Sequence, residues 1–456
     1  MNIPAITGKT VLVCGASGLS GRAALALCLA AGATKVLASD RKAPTEADPG
    51  GTIDVRPRED TDLLDDYNIQ VIVTAPGVPL SNSIFKTAAE KQIPILGETD
   101  LGARALAING PGDVLVAITG TDGKSTTTAL LAHLITSATD LPARPCGNFG
   151  LPLSGLALLS GRAREALVVE CSSFQLELVG EFHPRVAVLL NLADDHLDRY
   201  PSREEYLQAK LNVLDNMGAE DIGFFPARLL PAARARNGRV RLAELPEIGN
   251  EIVYAGEVLG PREIYNRPWA HDRSNLAAAL AALGELERAK LVRVDRNRLR
   301  EALGSFAGLP HRMESLGAIG NTLFINDSKA TTVQAVDSAL AALSPRPTFL
   351  LLGGRMKGGD FSSLARHKHA HFFAFGEASA HIASELGRER RYETLSEAFQ
   401  AALSARARLA DTESEAVVLL SPGCASYDQY GSYAERGEHM RSLVKGLRNH
   451  AEAGPE

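Results

Sequence analysis

Short apolar runs alternate with longer amphipathic stretches along most of this chain. "KTVLVCG" (Lys9–Gly15) reads as a strand ending in a glycine turn, and an Ala/Leu-rich helical segment follows from Arg22 to Ala31. "TKVLAS" leads to Asp40, and "VIVTAPG" runs into Pro76-Gly77. After the connecting stretch "INGPGD" (Ile108–Asp113) the pattern restarts with "VLVAITG", a glycine loop and a helix from Ser125. Further strands are "ALVVE", ending at Glu170, and "RVAVLLN", ending at Asn191. Ser202 with Glu205 predicts a capped helix start, and an Ala-rich helix follows from about Ser274. Beyond "AGLPHRME" (Ala307–Glu314) come "TLFIND", "TFLLLGG", "HFFAFG" and "AVVLLSPG", again with helices between them.

Strands alternating with helices across short Gly/Pro turns predict βαβ units and parallel sheets. The breaks predict three α/β domains, at 1–105, 106–309 and 310–456. The first and third read as Rossmann-like and the second as P-loop-like. The length of 456 residues agrees with this division, at roughly 150 residues per domain.

Composition narrows the class. Apolar residues make up 45%, charged residues 22% and aromatics 5%, as expected for a helix-rich soluble α/β protein. A net charge of -6 argues against a nucleic-acid partner. The basic run Arg228–Arg241 reads as solvated surface. Five cysteines, spread out and without a CxxC pair, point to a reducing compartment and away from a zinc site. No apolar stretch reaches the ~18 residues of a membrane span, and no leader pattern opens the chain. A cytoplasmic monomer is expected.

The candidate chemistry lies at the carboxyl ends of the expected strands, where open parallel sheets bind ligands. "VAITGTDGKSTTT" (Val116–Thr128) is almost a P-loop, but Ile118 stands where the first glycine of G-x-x-x-x-G-K-[ST] belongs, and Gly120 lies only three residues before Gly123. A loop of Gly120, Thr121, Asp122 and Gly123 opening a helix at Lys124, Ser125 and Thr126 suits phosphate oxygens, with Lys124 as a point charge and the Ser125 hydroxyl for Mg²⁺. Glu170, at the end of an apolar strand, suits the same cation. His196 follows another strand end. Lys210 borders the stripe Leu207, Leu211 and Leu214, and from periodicity alone would reach solvent along that border. In the first domain Gly15, Gly18 and Gly21 follow GxxGxxG rather than GxGxxG, with Asp40 about 20 residues on. A dinucleotide and a nucleoside diphosphate both fit that pattern.

Together "GTDGKSTTT", "ECSSFQLE", "NLADDHLDRY", "AKLNVL", "GLPHRME", "NDSKATT", "LLGGRMKGGDF" and "LSPGCASYDQY" resemble, in collinear order from about residue 10 to 440, the Mur ligases of peptidoglycan synthesis. "NDSKATT" is most similar to the branch that joins D-glutamate to UDP-N-acetylmuramoyl-L-alanine. The resemblance implies that ATP phosphorylates a carboxylate, that the amino group attacks the acyl phosphate, and that phosphate leaves. It implies a UDP-substrate domain, a central ATP domain and an amino-acid domain.

The resemblance also implies roles. Lys124, Ser125 and Glu170 would hold ATP and one Mg²⁺; His196 and Lys210 would hold a second, with Lys210 as a carbamate derived from CO₂. Asn275, Arg312, Asp327 and Lys329 would close on the nucleotide. Ser20, Asp40, Lys42, Pro76, Gly77 and Asn148 would hold the UDP-substrate. Lys329, Thr331, Lys357, Ser426 and Tyr433 would form the D-glutamate pocket. Asp122, Ala75, Asp272, Tyr433 and Lys42 depart from the residues usual in the family. A sister ligase or a folylpolyglutamate synthase is the alternative within this enzyme class. An NAD-dependent oxidoreductase and a non-catalytic nucleotide-sugar sensor are the alternatives outside it.

Overall fold

The computed structural model describes residues 1–40, 55–56, 61–193, 199–265, 267, 269–387, 390–409 and 415–453. Lys42 and His196 lie outside the described residues. The fold is mixed α/β with several largely parallel sheets. The chain divides into two compact units, Met1–Phe306 and Ala307–Glu456.

The first unit holds two parallel sheets. Strands β1 (Thr10–Cys14), β2 (Lys35–Ser39), β3 (Val55–Arg56), β4 (Val71–Thr74) and β5 (Ile95–Gly97) assemble in the order β3-β2-β1-β4-β5. The runs of β1, β2 and β4 are continuously apolar because both faces are covered. Val11, Val13, Val36 and Val73 pack on Ala24, Leu27 and Cys28 of the helix Leu19–Ala30. Leu12, Leu37 and Ile72, one residue out of phase, pack on Leu63, Ile84 and Phe85. At Gly21 that helix passes so close to the first glycine turn that a Cβ would lie 2.0 Å from the Gly15 carbonyl oxygen.

The second sheet has β6 (Val114–Thr119), β7 (Ala143–Gly147), β8 (Ala166–Glu170), β9 (Val186–Leu189), β10 (Ile222–Phe225) and β11 (Arg241–Glu244), in the order β11-β10-β9-β6-β8-β7. Val116, Ile118, Val168 and Val188 meet the helices Lys124–Ala138 and Ala270–Arg288 on one face. Ala117, Val169 and Leu189 meet Leu176, Tyr206 and Leu211 on the other. From β6 the chain goes first to β7 and β8 on one side and then to β9 on the other. The order therefore reverses at β6, and the ends of β6, β8 and β9 frame a switch-point crevice. A hairpin of β12 (Glu251–Tyr254) and β13 (Glu257–Pro261) follows.

In the second unit β14 (Glu314–Ile319), β15 (Thr322–Asn326), β16 (Thr348–Gly353), β17 (Ala370–Phe375), β18 (Arg391–Tyr392) and β19 (Ala416–Gly423) form the order β14-β15-β19-β16-β17-β18. Only β14 runs antiparallel to its neighbour. The last strand inserts between β15 and β16, so the ends of these three strands converge.

Candidate active site

The loop after β6 is shaped by its glycines. Gly120 has φ +144° and Gly123 φ +81°, values that side-chain-bearing residues rarely adopt. Gly123 caps the helix Lys124–Ala138. The first N–H groups of a helix have no intrahelical acceptor, and the helix dipole favours an anion there. Asn191, at the end of β9, holds the loop's other side. Its Oδ1 accepts from the N–H groups of Thr121 (3.1 Å) and Asp122 (2.9 Å), and its Nδ2 donates to the Asp122 carbonyl (3.1 Å). Asn275 accepts from the Thr127 hydroxyl at 3.1 Å and lies against Gly123.

Two lysines meet at this loop. Lys124 Nζ donates to the carbonyls of Gly120 (3.0 Å) and Thr121 (2.7 Å). Lys210 Nζ donates to the same Gly120 carbonyl at 2.8 Å and lies 4.5 Å from the centre of the Tyr206 ring. Lys210 is 1% exposed, so the border position that periodicity left to solvent is in fact interior. Two ammonium groups on one carbonyl repel each other, and an anion between them relieves that.

Glu170 is 2% exposed and pairs across the sheet with Ile118 of β6. Its Oε1 accepts from Asn148 Nδ2 at 2.6 Å. Its Oε2 is buried with no hydrogen-bond partner among the described residues. A half-satisfied buried carboxylate beside a phosphate-type loop is a donor set suited to a hard divalent cation, and the buried Ser125 hydroxyl adds a second oxygen. No group of three His, Cys, Asp or Glu side chains converges among the described residues, here included.

Lys124, Lys210, Tyr206 and Asn148 line one cleft with the first sheet. A cavity of about 630 Å³ is bordered by Gly15, Ser20, Asp40, Pro76 and Gly77 on one side and by Lys124, Asn148, Phe174, Tyr206 and Lys210 on the other. Asp40 accepts from the Ser17 N–H (3.0 Å) and hydroxyl (2.6 Å), which fixes the glycine turn. Ser172 forms a full capping box with Gln175 and starts the short helix Ser173–Leu176. The predicted cap at Ser202 also forms, with Ser202 Oγ accepting from the Glu205 N–H at 3.2 Å.

Two of the residues that depart from family usage are tied locally. Asp272 is buried and takes the Arg267 guanidinium at 2.8 Å. The Tyr433 ring lies 4.0 Å below Lys329 Nζ. Within the basic run, Arg236 and Arg241 pair with Asp215 and Glu285.

In the second unit the strand ends carry the remaining candidates. Lys357 Nζ is 3.5 Å from the Thr331 hydroxyl, and Ser426 is 2% exposed. Asp327 accepts from the Met313 N–H (3.1 Å) and the Ser421 hydroxyl (2.9 Å). Burial nevertheless pushes its carboxyl up to about 7, against the pull of those bonds and of Arg312. Arg436, fully buried, joins the three loops that bear these candidates. It donates to Ser328 O and Oγ, Gly353 O, Cys424 O and Ala425 O at 3.0–3.3 Å. Burial lowers its guanidinium to about 10. Tyr206 and Arg436 carried no signal in the motifs, and Asn191 was visible only as a strand end that opens "NLADDHLDRY"; the partners of Asn191 and Arg436 are loops remote in sequence.

Comparison with known proteins identifies the family. The model of the Mur ligase middle domain matches residues 118–238, and that of the Mur ligase glutamate ligase domain matches 311–424. The UDP-N-acetylmuramoylalanine–D-glutamate ligase of Paramagnetospirillum magneticum is 35% identical, with 98% of each chain covered. Its counterpart in Anaeromyxobacter dehalogenans is 36% identical over 97% of this chain and 99% of its own. The crystal structure of the MurF ligase from Thermotoga maritima in complex with ADP shares the fold, with a TM-score of 0.59 at 17% identity, covering 98% of this chain and 99% of its own. On this full-length similarity, the chain belongs to the Mur ligase family.

Proposed function

We propose that this protein is the ATP-dependent ligase that adds D-glutamate to UDP-N-acetylmuramoyl-L-alanine through an acyl phosphate, as a step of peptidoglycan precursor synthesis. The observation that carries the reading is the cleft in which the glycine turn, Asp40 and the Pro76-Gly77 turn face Lys124 and Lys210. A nucleotide-linked carboxylate bound across it reaches from a Rossmann-type sheet to a phosphate loop. Residues 1–105 are then the UDP-substrate domain, 106–309 the ATP domain and 310–456 the amino-acid domain.

The chemistry asks for alignment and charge neutralisation, because a carboxylate becomes electrophilic only once phosphorylated. In this reading the first turn at Gly123–Thr126 holds ATP phosphates, and Lys124 leaves its loop carbonyls to neutralise them. Asn275, Arg312, Asp327 and Lys329 contact the nucleotide. Ser125 and Glu170 would hold Mg²⁺, which would supply positive charge to neutralise ATP phosphate oxygens. Lys210 carries a carbamate and, with His196, serves a second Mg²⁺. The crowding of Lys124 and Lys210 on the Gly120 carbonyl supports an anionic form of Lys210. Ser20, Lys42 and Asn148 complete the UDP-substrate site. Lys329, Thr331, Lys357, Ser426 and Tyr433 receive the D-glutamate carboxylates. Phosphate release from ATP should require UDP-N-acetylmuramoyl-L-alanine and D-glutamate together; release that ignores either one contradicts the reading.

A further inference from the structure

The two sheets of the first unit meet along a seam that ends at the cleft. At its far end Asp100 Oδ1 accepts from the Glu181 N–H at 2.7 Å, and Arg104 reaches both carboxylates. Next, Gly97 passes so near Leu178 that a Cβ would lie 2.9 Å from the Leu178 carbonyl oxygen. Arg199 contacts residues that border the cleft itself. Its Nη1 donates to Pro76 O at 3.2 Å and its Nη2 approaches Val78 O at 3.4 Å, so one fork spans the turn that borders the cavity. The same guanidinium binds both Glu177 oxygens, with Nε to Oε1 at 2.9 Å, and lies 4.3 Å from the centre of the Phe174 ring. Tyr200 donates to Glu177 at 2.7 Å and stacks on Phe174. Arg199 and Glu177 are only 12% and 15% exposed, so this is an enclosed ion pair rather than a surface one. Phe174, Pro76 and Val78 all border the cavity.

We propose that Arg199 is a positioning residue for the nucleotide-linked substrate: it fixes the Pro76–Gly77 turn against the Phe174–Glu177 segment and so sets the width of the cleft. The inference rests on the reading that this cleft takes the UDP-substrate. A planar guanidinium can bind a carboxylate bidentately and still reach two carbonyls with its remaining N–H groups, whereas an ammonium, a point charge with three donors, cannot reproduce that bidentate pair together with both carbonyls. The guanidinium itself need not touch substrate. Its effect passes through the turn, and the nucleotide loop after β6 is held separately by Asn191.

The test compares wild type, Arg199→Lys, Arg199→Met and Glu177→Gln by initial-rate phosphate release and by calorimetric binding of UDP-N-acetylmuramoyl-L-alanine without ATP. Arg199→Met should raise the KM and the Kd for that substrate tenfold or more. Arg199→Lys should show nearly the same loss, and the KM for ATP and for D-glutamate should stay within twofold. Unchanged substrate binding in both arginine variants overturns the inference. So does an equal rise in all three KM values with a lowered melting temperature, because that is a general prop. A wild type that neither binds nor turns over the UDP-substrate overturns the functional reading instead.

Discussion

Glu170→Gln separates a metal ligand from a structural acid. Glu170 is 2% exposed, with one oxygen bonded to Asn148 at 2.6 Å and the other without a partner among the described residues. A buried polar atom left unpaired costs ~1–3 kcal/mol, and more when charged. The glutamine keeps an oxygen for Asn148 and removes the buried charge, while its own amide group inherits the unpaired position. Without metal the variant should therefore melt at the wild-type temperature or a few degrees above it. With Mg²⁺ the order should reverse. The wild type gains stability as the ion fills the site, by mass action, and the variant should lose most of that gain. Turnover should fall ~100–1,000-fold, the usual loss for removing one group that stabilises developing charge, or ~2.7–4 kcal/mol. Differential scanning fluorimetry across a Mg²⁺ titration reads the stability arm, and phosphate release reads the other. A variant that keeps both the Mg²⁺-dependent shift and near-normal turnover refutes the assignment of Glu170 to the metal.

Other predictions follow the same logic. Lys210→Ala should be inactive and partly rescued by small added carboxylates that replace a missing oxygen ligand; a fully active variant, or an unmodified ammonium in the metal-loaded protein, contradicts the carbamate. Lys357→Ala should raise the KM for D-glutamate about tenfold or more, since charge-assisted hydrogen bonds are worth roughly 1.5–3 kcal/mol; a defect confined to the UDP-substrate argues against it. Asp327, raised by burial to about 7, prefers its protonated form in the folded protein. Its contribution is fully present below the ordinary carboxyl range and is lost as pH rises through about 7. Melting temperature should thus decline between pH 5 and 8, and Asp327→Asn should flatten that decline; an identical slope in the variant contradicts the burial argument.

The interior strands were legible because their runs must be apolar on both faces: β1, β2, β4, β6, β8, β9, β15, β16, β17 and β19 all arise from runs visible in the sequence. The edge strands β3, β5, β7, β11, β14 and β18 were not. They are short or mixed in character, as "ARPCG" and "RLAE" are, because among the described residues each has a strand neighbour on one side alone. β10 is interior but only four residues long and carries Gly223. The glycine loop, Glu170 and Lys210 were readable as residue types at strand ends and in motifs. The burial of Lys210 was not, because its helix has a weak stripe and its partner, the Gly120 carbonyl, is 90 residues away in sequence. Arg436 was invisible for a related reason, and Arg199 was visible only as part of the motif "NLADDHLDRY", with no sign of its role. Each binds backbone carbonyls of distant loops, beside the Glu177 carboxylate for Arg199 and the Ser328 hydroxyl for Arg436, and a carbonyl leaves no mark on the amino-acid pattern.

The most direct measurement is the mass of the product. The purified protein, given ATP, Mg²⁺ and UDP-N-acetylmuramoyl-L-alanine with an equimolar mixture of D-glutamate, L-glutamate, L-alanine and a diamino acid, should yield one new species. That species should carry one glutamyl residue and should vanish when D-glutamate alone is omitted. A product containing L-alanine or the diamino acid, or one that persists without D-glutamate, contradicts the account.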